Sequence, residues 1–218
     1  MGRLGARNAC DVVQYAVAWI EADARVILPR MTEPARARDV YAEWAALPDH
    51  MVGEVIHGQL YAQPRPTLRH AQASSALGGE LGPPFRNGRG GPGGWIILDE
   101  PELHLGARPD ILVPDLAGWR RERVPELPDA AYFDLAPDWA CEVLSPATQR
   151  LDRTHKRDIY LRERVKHLWL VDPDARTLEI FRLADDAYLL AATFAEDVRV
   201  RAEPFDAIEL ELGLLWAR

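Results

Sequence analysis

Apolar residues recur along this chain in two rhythms, and the changes between them predict its elements. Val40, Trp44 and Leu47 fall on one face of a helix. Thr32 is its expected cap, Pro34 lies in its first turn and Pro48 ends it. Glu54-Val-Ile-His-Gly-Gln-Leu-Tyr reads as a tight hairpin turning at His57-Gly58. A second helix is predicted over Leu68 to Leu81, followed by a Gly/Pro-rich loop from Gly82 to Gly94. Trp95 to Leu98 reads as a strand, and Ile111 to Trp119 contains another. The proline-rich stretch from Val124 to Pro137 is a connection, and Trp139 to Leu144 is a short apolar strand stopped by Pro146. A helix over about Thr148 to Arg164 leads into a buried-type strand, His167 to Val171, and the turn Asp172-Pro173-Asp174. Two more strands are expected near Leu178 to Leu183 and Tyr188 to Phe194. Helices interleaved with strands in this order predict an α/β fold, a mixed central β-sheet flanked by helices.

Residues 1–30 stand apart. Val12, Tyr15, Ala16 and Trp19 would suit a short amphipathic helix. The preferred reading is an N-terminal extension, disordered or a short helix, with Met31 as the natural start and residues 31–218 as the domain.

Composition narrows the class. With 218 residues, 48% hydrophobic and 28% charged, the chain suits one globular domain with a real core. No apolar run approaches a membrane span, and the N-terminus lacks the basic-then-apolar order of a signal peptide. Cys10 and Cys141 form no metal or disulfide framework, so a cytoplasmic location is expected. The net charge of −8 argues against a passive nucleic-acid binder, although a metal site collects acids and its ion reverses the local field. Only Lys156 and Lys166 are lysines among 26 basic residues. A lysine in so arginine-rich a chain draws notice.

Chemistry is expected where the pattern is violated. Glu142 interrupts the apolar run Trp-Ala-Cys-Glu-Val-Leu. A carboxylate there must be paired, bound to metal or turned to water on an edge strand. Upstream, Arg108-Pro-Asp-Ile-Leu-Val-Pro-Asp offers two Pro-Asp pairs, Asp110 and Asp115, one of which is expected to be a simple turn residue. Two strand-borne carboxylates can hold one Mg²⁺ or Mn²⁺, with waters and a phosphate oxygen completing it. Asp152, Lys156 and Tyr160 are spaced by four and share a helix face. By spacing alone, Asp152 and Lys156 are an ordinary solvated pair.

Taken together, Pro114-Asp115, Arg121-Glu-Arg-Val-Pro, Glu142-Val-Leu-Ser-Pro, Asp152 with Lys156 and Tyr160, and Trp169-Leu-Val-Asp-Pro resemble the Uma-two family of restriction-endonuclease-like proteins with the PD-(D/E)XK fold. The resemblance runs from about Met31 to Trp216; Glu54 and His70 also match its pattern. It implies a metal-dependent endonuclease acting on DNA, with Asp115 rather than Asp110 as first metal ligand, Glu142 as second and Lys156 as the lysine of the site. Glu54 would be a further ligand or water-positioning acid, and His70 a phosphate contact or proton acceptor, against hairpin-edge and helix-start residues respectively. The usual lysine position, two residues after the acid, is Leu144 here. A helical lysine would have to reach the same space.

The rival reading is a catalytically inactive nuclease fold serving as a binding or assembly module, with a homodimer as its candidate state. A third is a nucleotide hydrolase using Trp44, Trp95 or Trp119 for stacking, though core packing suits those residues better. Gly88 to Gly94 lacks the Lys-Ser/Thr of a phosphate loop, and Ser145 lacks a nucleophile-elbow context.

Overall fold

The structure, a computed structural model, describes residues 39–64 and 66–217. The expected extension at residues 1–30 and the helix start at Thr32 and Pro34 lie outside the described residues. Helix α1 (Val40–Ala45) is capped by Asp39, whose side chain accepts from the Ala42 N–H. Trp44 and Leu47, the two later members of the apolar stripe, lie over β1 (Met51–Ile56) at Gly53, where a Cβ would come within 2.2 Å of Leu47. The absence of a side chain at Gly53 is what allows this approach. β1 pairs antiparallel with β2 (Gln59–Pro64) through the expected two-residue turn. Both of its residues, His57 and Gly58, have positive φ (52° and 72°), which suits the right-handed twist of a hairpin.

Helix α2 (Leu68–Leu81) has the expected bounds and is capped by Thr67. It does not end in a loop at once, as the sequence reading had it. A wide π turn follows over Gly82–Arg86, closed by Asn87 N–H donating to the Gly82 carbonyl (3.1 Å). Pro83 and Pro84 have no N–H to continue an α-helical ladder, so the chain widens there instead of stopping.

Two sheets carry the fold among the described residues. The six-stranded sheet is ordered β11-β10-β9-β8-β6-β3, from β3 (Trp95–Asp99), β6 (Leu116–Arg120), β8 (Trp139–Val143), β9 (His167–Asp172), β10 (Thr177–Ala184) and β11 (Ala187–Ala195). Only β8 and β9 run parallel in it, so the sheet is mixed, as expected. The five-stranded sheet, ordered β2-β1-β5-β4-β7, adds β4 (Glu102–Leu105), β5 (Asp110–Leu112) and β7 (Tyr132–Phe133). The sequence reading missed β4 and merged β5 with β6 into one stretch. It also took β7 for plain connection. β4, β5 and β7 are four residues or fewer, too short for alternation to show. β12 (Arg199–Val200) and β13 (Leu210–Glu211), also unforeseen, pair with each other.

Strand alternation divides the core. Trp139, Cys141 and Val143 of β8 join Trp95, Trp169 and Phe205 under α2. Ala140 and Leu144 face the opposite way, toward Ile56, Leu103, Trp119 and Tyr160 between the two sheets. Trp139 and Trp169 each pack edge-on against Phe205, with centroids 4.8 and 5.6 Å away. Truncating such a ring to alanine typically costs about 3–5 kcal/mol. No helix among the described residues is long and apolar enough to cross a membrane.

Candidate active site

Period-two alternation puts Glu142 on the same face as Ala140 and Leu144, between the sheets and only 2% exposed. Parallel pairing of β8 and β9 requires a crossover, and the crossover is helical. It comprises α3 (Gln149–Leu151), a π turn over Asp152–Lys156 and α4 (Arg157–Arg162). One helix was expected over this range. The structure agrees in extent but widens the middle into the π turn that carries Asp152 and Lys156. Such turns are frequent at functional sites.

Lys156 is not a solvated helix-face residue. Its Nζ lies 2.7 Å from Glu142 Oε2, 3.0 Å from Glu54 Oε1 and 3.4 Å from Asp152 Oδ1, and the residue is 3% exposed. Tyr160, one turn on, donates to Glu142 Oε1 (2.6 Å). Glu54 reaches in from β1 in the other sheet and accepts from the Val113 N–H (2.8 Å). The solvated-pair reading of Asp152 and Lys156 is thereby corrected: burial between two sheets, invisible to helical spacing, decides it. The sequence reading had placed Tyr160 on this face without giving it a role.

Asp115 stands where the chain passes from one sheet to the other, just after Pro114, which has no N–H to continue β5. β6 pairs with β8 in the register Leu116↔Cys141, and one residue further along stand Asp115 and Glu142. Asp115 Oδ2 accepts from the Val143 N–H (2.6 Å), and Oδ1 lies 3.1 Å from His70 Nε2. His70 sits in the first turn of α2, its own N–H bound by Thr67. Asp115, His70, Glu142, Asp152 and Lys156 line one cleft of about 180 Å³, with Val143, Ser145 and Thr148 on its wall. Ser145 caps the crossover, its Oγ accepting from the Thr148 N–H (3.2 Å).

Asp110 was expected, as the other member of the two Pro-Asp pairs, to be a plain turn residue. It is buried in β5 instead. It accepts from the His57 N–H (2.6 Å) and pairs with Arg162 (2.8 Å), tying the hairpin turn to α4.

The electrostatics are unbalanced. Three carboxylates, Glu54, Glu142 and Asp152, surround one ammonium, and a fourth, Asp115, lines the same cleft. Burial pushes the Glu142 carboxyl well above the usual range, and although Lys156 opposes this, Asp152, Asp115 and Glu54 push it higher. Asp152 is raised for the same first reason, burial. Burial works against charge on Lys156, yet Glu142, Glu54 and Asp152 outweigh it and hold the ammonium well above its ordinary value. His70 is raised as well: burial lowers it, but Asp115, the Val143 carbonyl and Asp152 overcome that.

A cleft with surplus carboxylates is short of positive charge. Its donors are hard oxygens, the chemistry of a magnesium- or manganese-type cation. Among the described residues no three acidic, histidine or cysteine side chains converge into a finished cage. Such a cation needs only one or two carboxylates, with water completing its shell. The residues therefore fit the group.

Known proteins bear on the same residues. A family model described as "Uma2: Putative restriction endonuclease" matches residues 39–214. No curated protein matches the chain. Among solved structures, a "putative nuclease belonging to DUF820" from Anabaena variabilis ATCC 29413 is similar to it, with a TM-score of 0.62 and 23% identity over 82% of this chain and 97% of that one. At that identity the likeness speaks for the fold. The family match spans all the cleft residues, from Glu54 to Tyr160, and the chain belongs to this restriction-endonuclease family.

Proposed function

We propose that the chain is a metal-dependent endonuclease that hydrolyses phosphodiester bonds in DNA. The observation that carries this reading is the meeting of a buried lysine with three carboxylates in the cleft that also holds Asp115. Asp115 and Glu142 would hold a Mg²⁺ or Mn²⁺ ion. When bound, that ion supplies the positive charge that polarises a phosphodiester. Asp115 is oriented by the Val143 N–H, which donates to its Oδ2. Glu142 is fixed at both oxygens, by Lys156 and by Tyr160, so its orientation is set before substrate arrives. Lys156, with its Nζ 2.7 Å from Glu142 Oε2, would meet charge building on the phosphoryl oxygens. Glu54 holds Lys156 from the opposite sheet.

Plasmid cleavage with Mg²⁺ or Mn²⁺, with single- and double-stranded arms, tests the reading. Glu142→Ala and Asp115→Ala should each lower the rate about a hundredfold or more. Cleavage that survives Glu142→Ala unchanged refutes it. A chain beginning at Met31 should keep full activity if residues 31–218 are the working unit. Light scattering and cell fractionation test the expected homodimer and cytoplasmic location. One observation favours the inactive binding module instead: all three N–H groups of Lys156 have a carboxylate within 3.4 Å, as in a purely structural network. Specific DNA binding without cleavage would select that reading.

A further inference from the structure

We infer that one strand of the DNA leaves the cleft along the groove between β2 and α3, where Arg150 takes a backbone phosphate and Tyr61 stacks on a base, an inference that rests on the nuclease reading proposed above. The groove, of about 700 Å³, is continuous with the cleft, because Gln63, Ala147 and Thr148 line both. Strand register builds one wall. Tyr61 stands opposite Glu54, and Gln63 opposite Val52, in the pairing of β1 with β2. Both side chains therefore share the face from which Glu54 reaches Lys156. The start of the crossover, with Arg150 and His155, builds the other wall. At the far end the rings of His155 and His57 meet edge-on, with centroids 5.4 Å apart, and bring the hairpin turn against the crossover.

Charge separates this exit from the other. Beside Val52, Glu100 and Val113 the cleft also opens into a second hollow, which carries Asp49, Glu100 and Glu102 and, among the described residues, no cation. A phosphate chain is repelled there. The groove between β2 and α3 has no carboxylate among its described lining residues, although the chain holds 34 acidic residues against 26 basic ones. A protein with a net charge of −8 can hold a polyanion only where its acids are absent. The arginine of this groove is also unengaged. Arg153 and Arg162, on the same crossover, pair with Glu179 and Asp110. Arg150 is exposed, and among the described residues its guanidinium has neither an ion pair nor a hydrogen bond. The Tyr61 ring is half-buried and its hydroxyl donates to Gln59 Oε1 (3.1 Å), so the ring is in place before a strand arrives. A cation for the phosphates beside an aromatic face for the bases is how a single strand is held.

The test is fluorescence anisotropy of a fluorescein-labelled single-stranded oligodeoxynucleotide, with full-length protein carrying Asp115→Asn so that the probe is not cut. On that background Arg150→Gln should weaken binding and reduce the slope of log affinity against log salt by about 0.7, the value of one phosphate contact to a single strand. Arg157→Gln makes the same change of charge on α4, outside the groove, and should leave the slope as it was. Tyr61→Leu should weaken binding about tenfold, whereas Tyr61→Phe, which keeps the ring, should not. With Asp115 restored, Arg150→Gln should raise KM for cleavage and leave kcat unchanged. Equal slopes for Arg150→Gln and Arg157→Gln, in a protein whose wild type cuts DNA, overturn the groove and leave the nuclease reading intact. Because Arg150 is exposed, that comparison decides the matter even if the Tyr61 variants fail to fold. Tyr61→Phe as weak as Tyr61→Leu overturns the stacking role. A probe held through Arg150 that the wild type never cuts supports the groove and refutes the nuclease reading. A wild type that neither binds nor cuts overturns both.

Discussion

The two ends of β8 each carry a buried acid held by one of the chain's two lysines, and they are built on opposite principles. At the start of the strand, Asp138 is 2% exposed and meets more positive charge than it carries. Its Oδ2 accepts from the Arg120 N–H (2.9 Å) and faces Arg123 (2.8 Å), while Oδ1 faces Lys166 (3.2 Å). Burial alone would raise the Asp138 carboxyl, yet these three partners hold it below its ordinary value. Near the far end, Glu142 shares a single lysine with two further carboxylates and stands beside Asp115. Lys166 is mostly exposed, whereas Lys156 is fully buried. One acid is matched by opposite charge and belongs to the scaffold. The other is crowded by like charge, which structure alone gives no reason to keep. Perturbed groups of that kind mark functional clefts.

Four experiments probe this contrast. The largest effect should come from Lys156→Met, which strands three buried carboxylates. A loss of about 3–5 kcal/mol is expected in urea denaturation, together with loss of cleavage. A loss under about 1 kcal/mol would mean that water already relieves the cluster. Next, Mn²⁺ should stabilise the wild type by about 2.7 kcal/mol at a hundredfold excess over its dissociation constant. Thermal melts should show this gain intact in Asp138→Asn and absent in Asp115→Asn. Third, Asp138→Asn should cost about 2 kcal/mol at neutral pH, the scale of a charged hydrogen bond lost in a buried site. Because the folded carboxyl lies below its unfolded value, this contribution is complete above the ordinary aspartate range. It should vanish as pH falls through the lowered value. Paired melts of wild type and variant from neutral to acid pH check the sign; a gap that widens on acidification contradicts the assignment. Smallest is Lys166→Met: its exposed ammonium should be worth under about 1 kcal/mol, with cleavage unchanged.

Much of this arrangement was legible in the sequence. Glu142 betrayed itself by interrupting an apolar strand, and Asp115 by its place in the family pattern. The hairpin turn at His57-Gly58 and the bounds of α2 followed from local chemistry that acts over a few residues. What could not be read was which segments from different sheets would meet. Glu54 lies 88 positions before Glu142, and its approach to Lys156 depends on a strand pairing, β1 with β5, that local pattern does not encode. Asp110 and Asp115 looked alike as Pro-Asp pairs. The division of that stretch between two sheets separates them, giving Asp110 to the hairpin and Asp115 to the cleft.

The widened turn at Asp152–Lys156 bears on how this protein could change over time. A π turn accommodates one residue more than an α-helical turn would. Deleting a single residue there would let the helix regularise at little cost to its length. The flanks would keep their register, but the widening that carries Asp152 and Lys156 would be lost. Asp152 and Tyr160 would no longer flank the lysine together. One codon lost from this crossover would therefore undo the cluster around Lys156 while leaving the fold, and insertions or deletions at this point are the place to look when comparing relatives of this family.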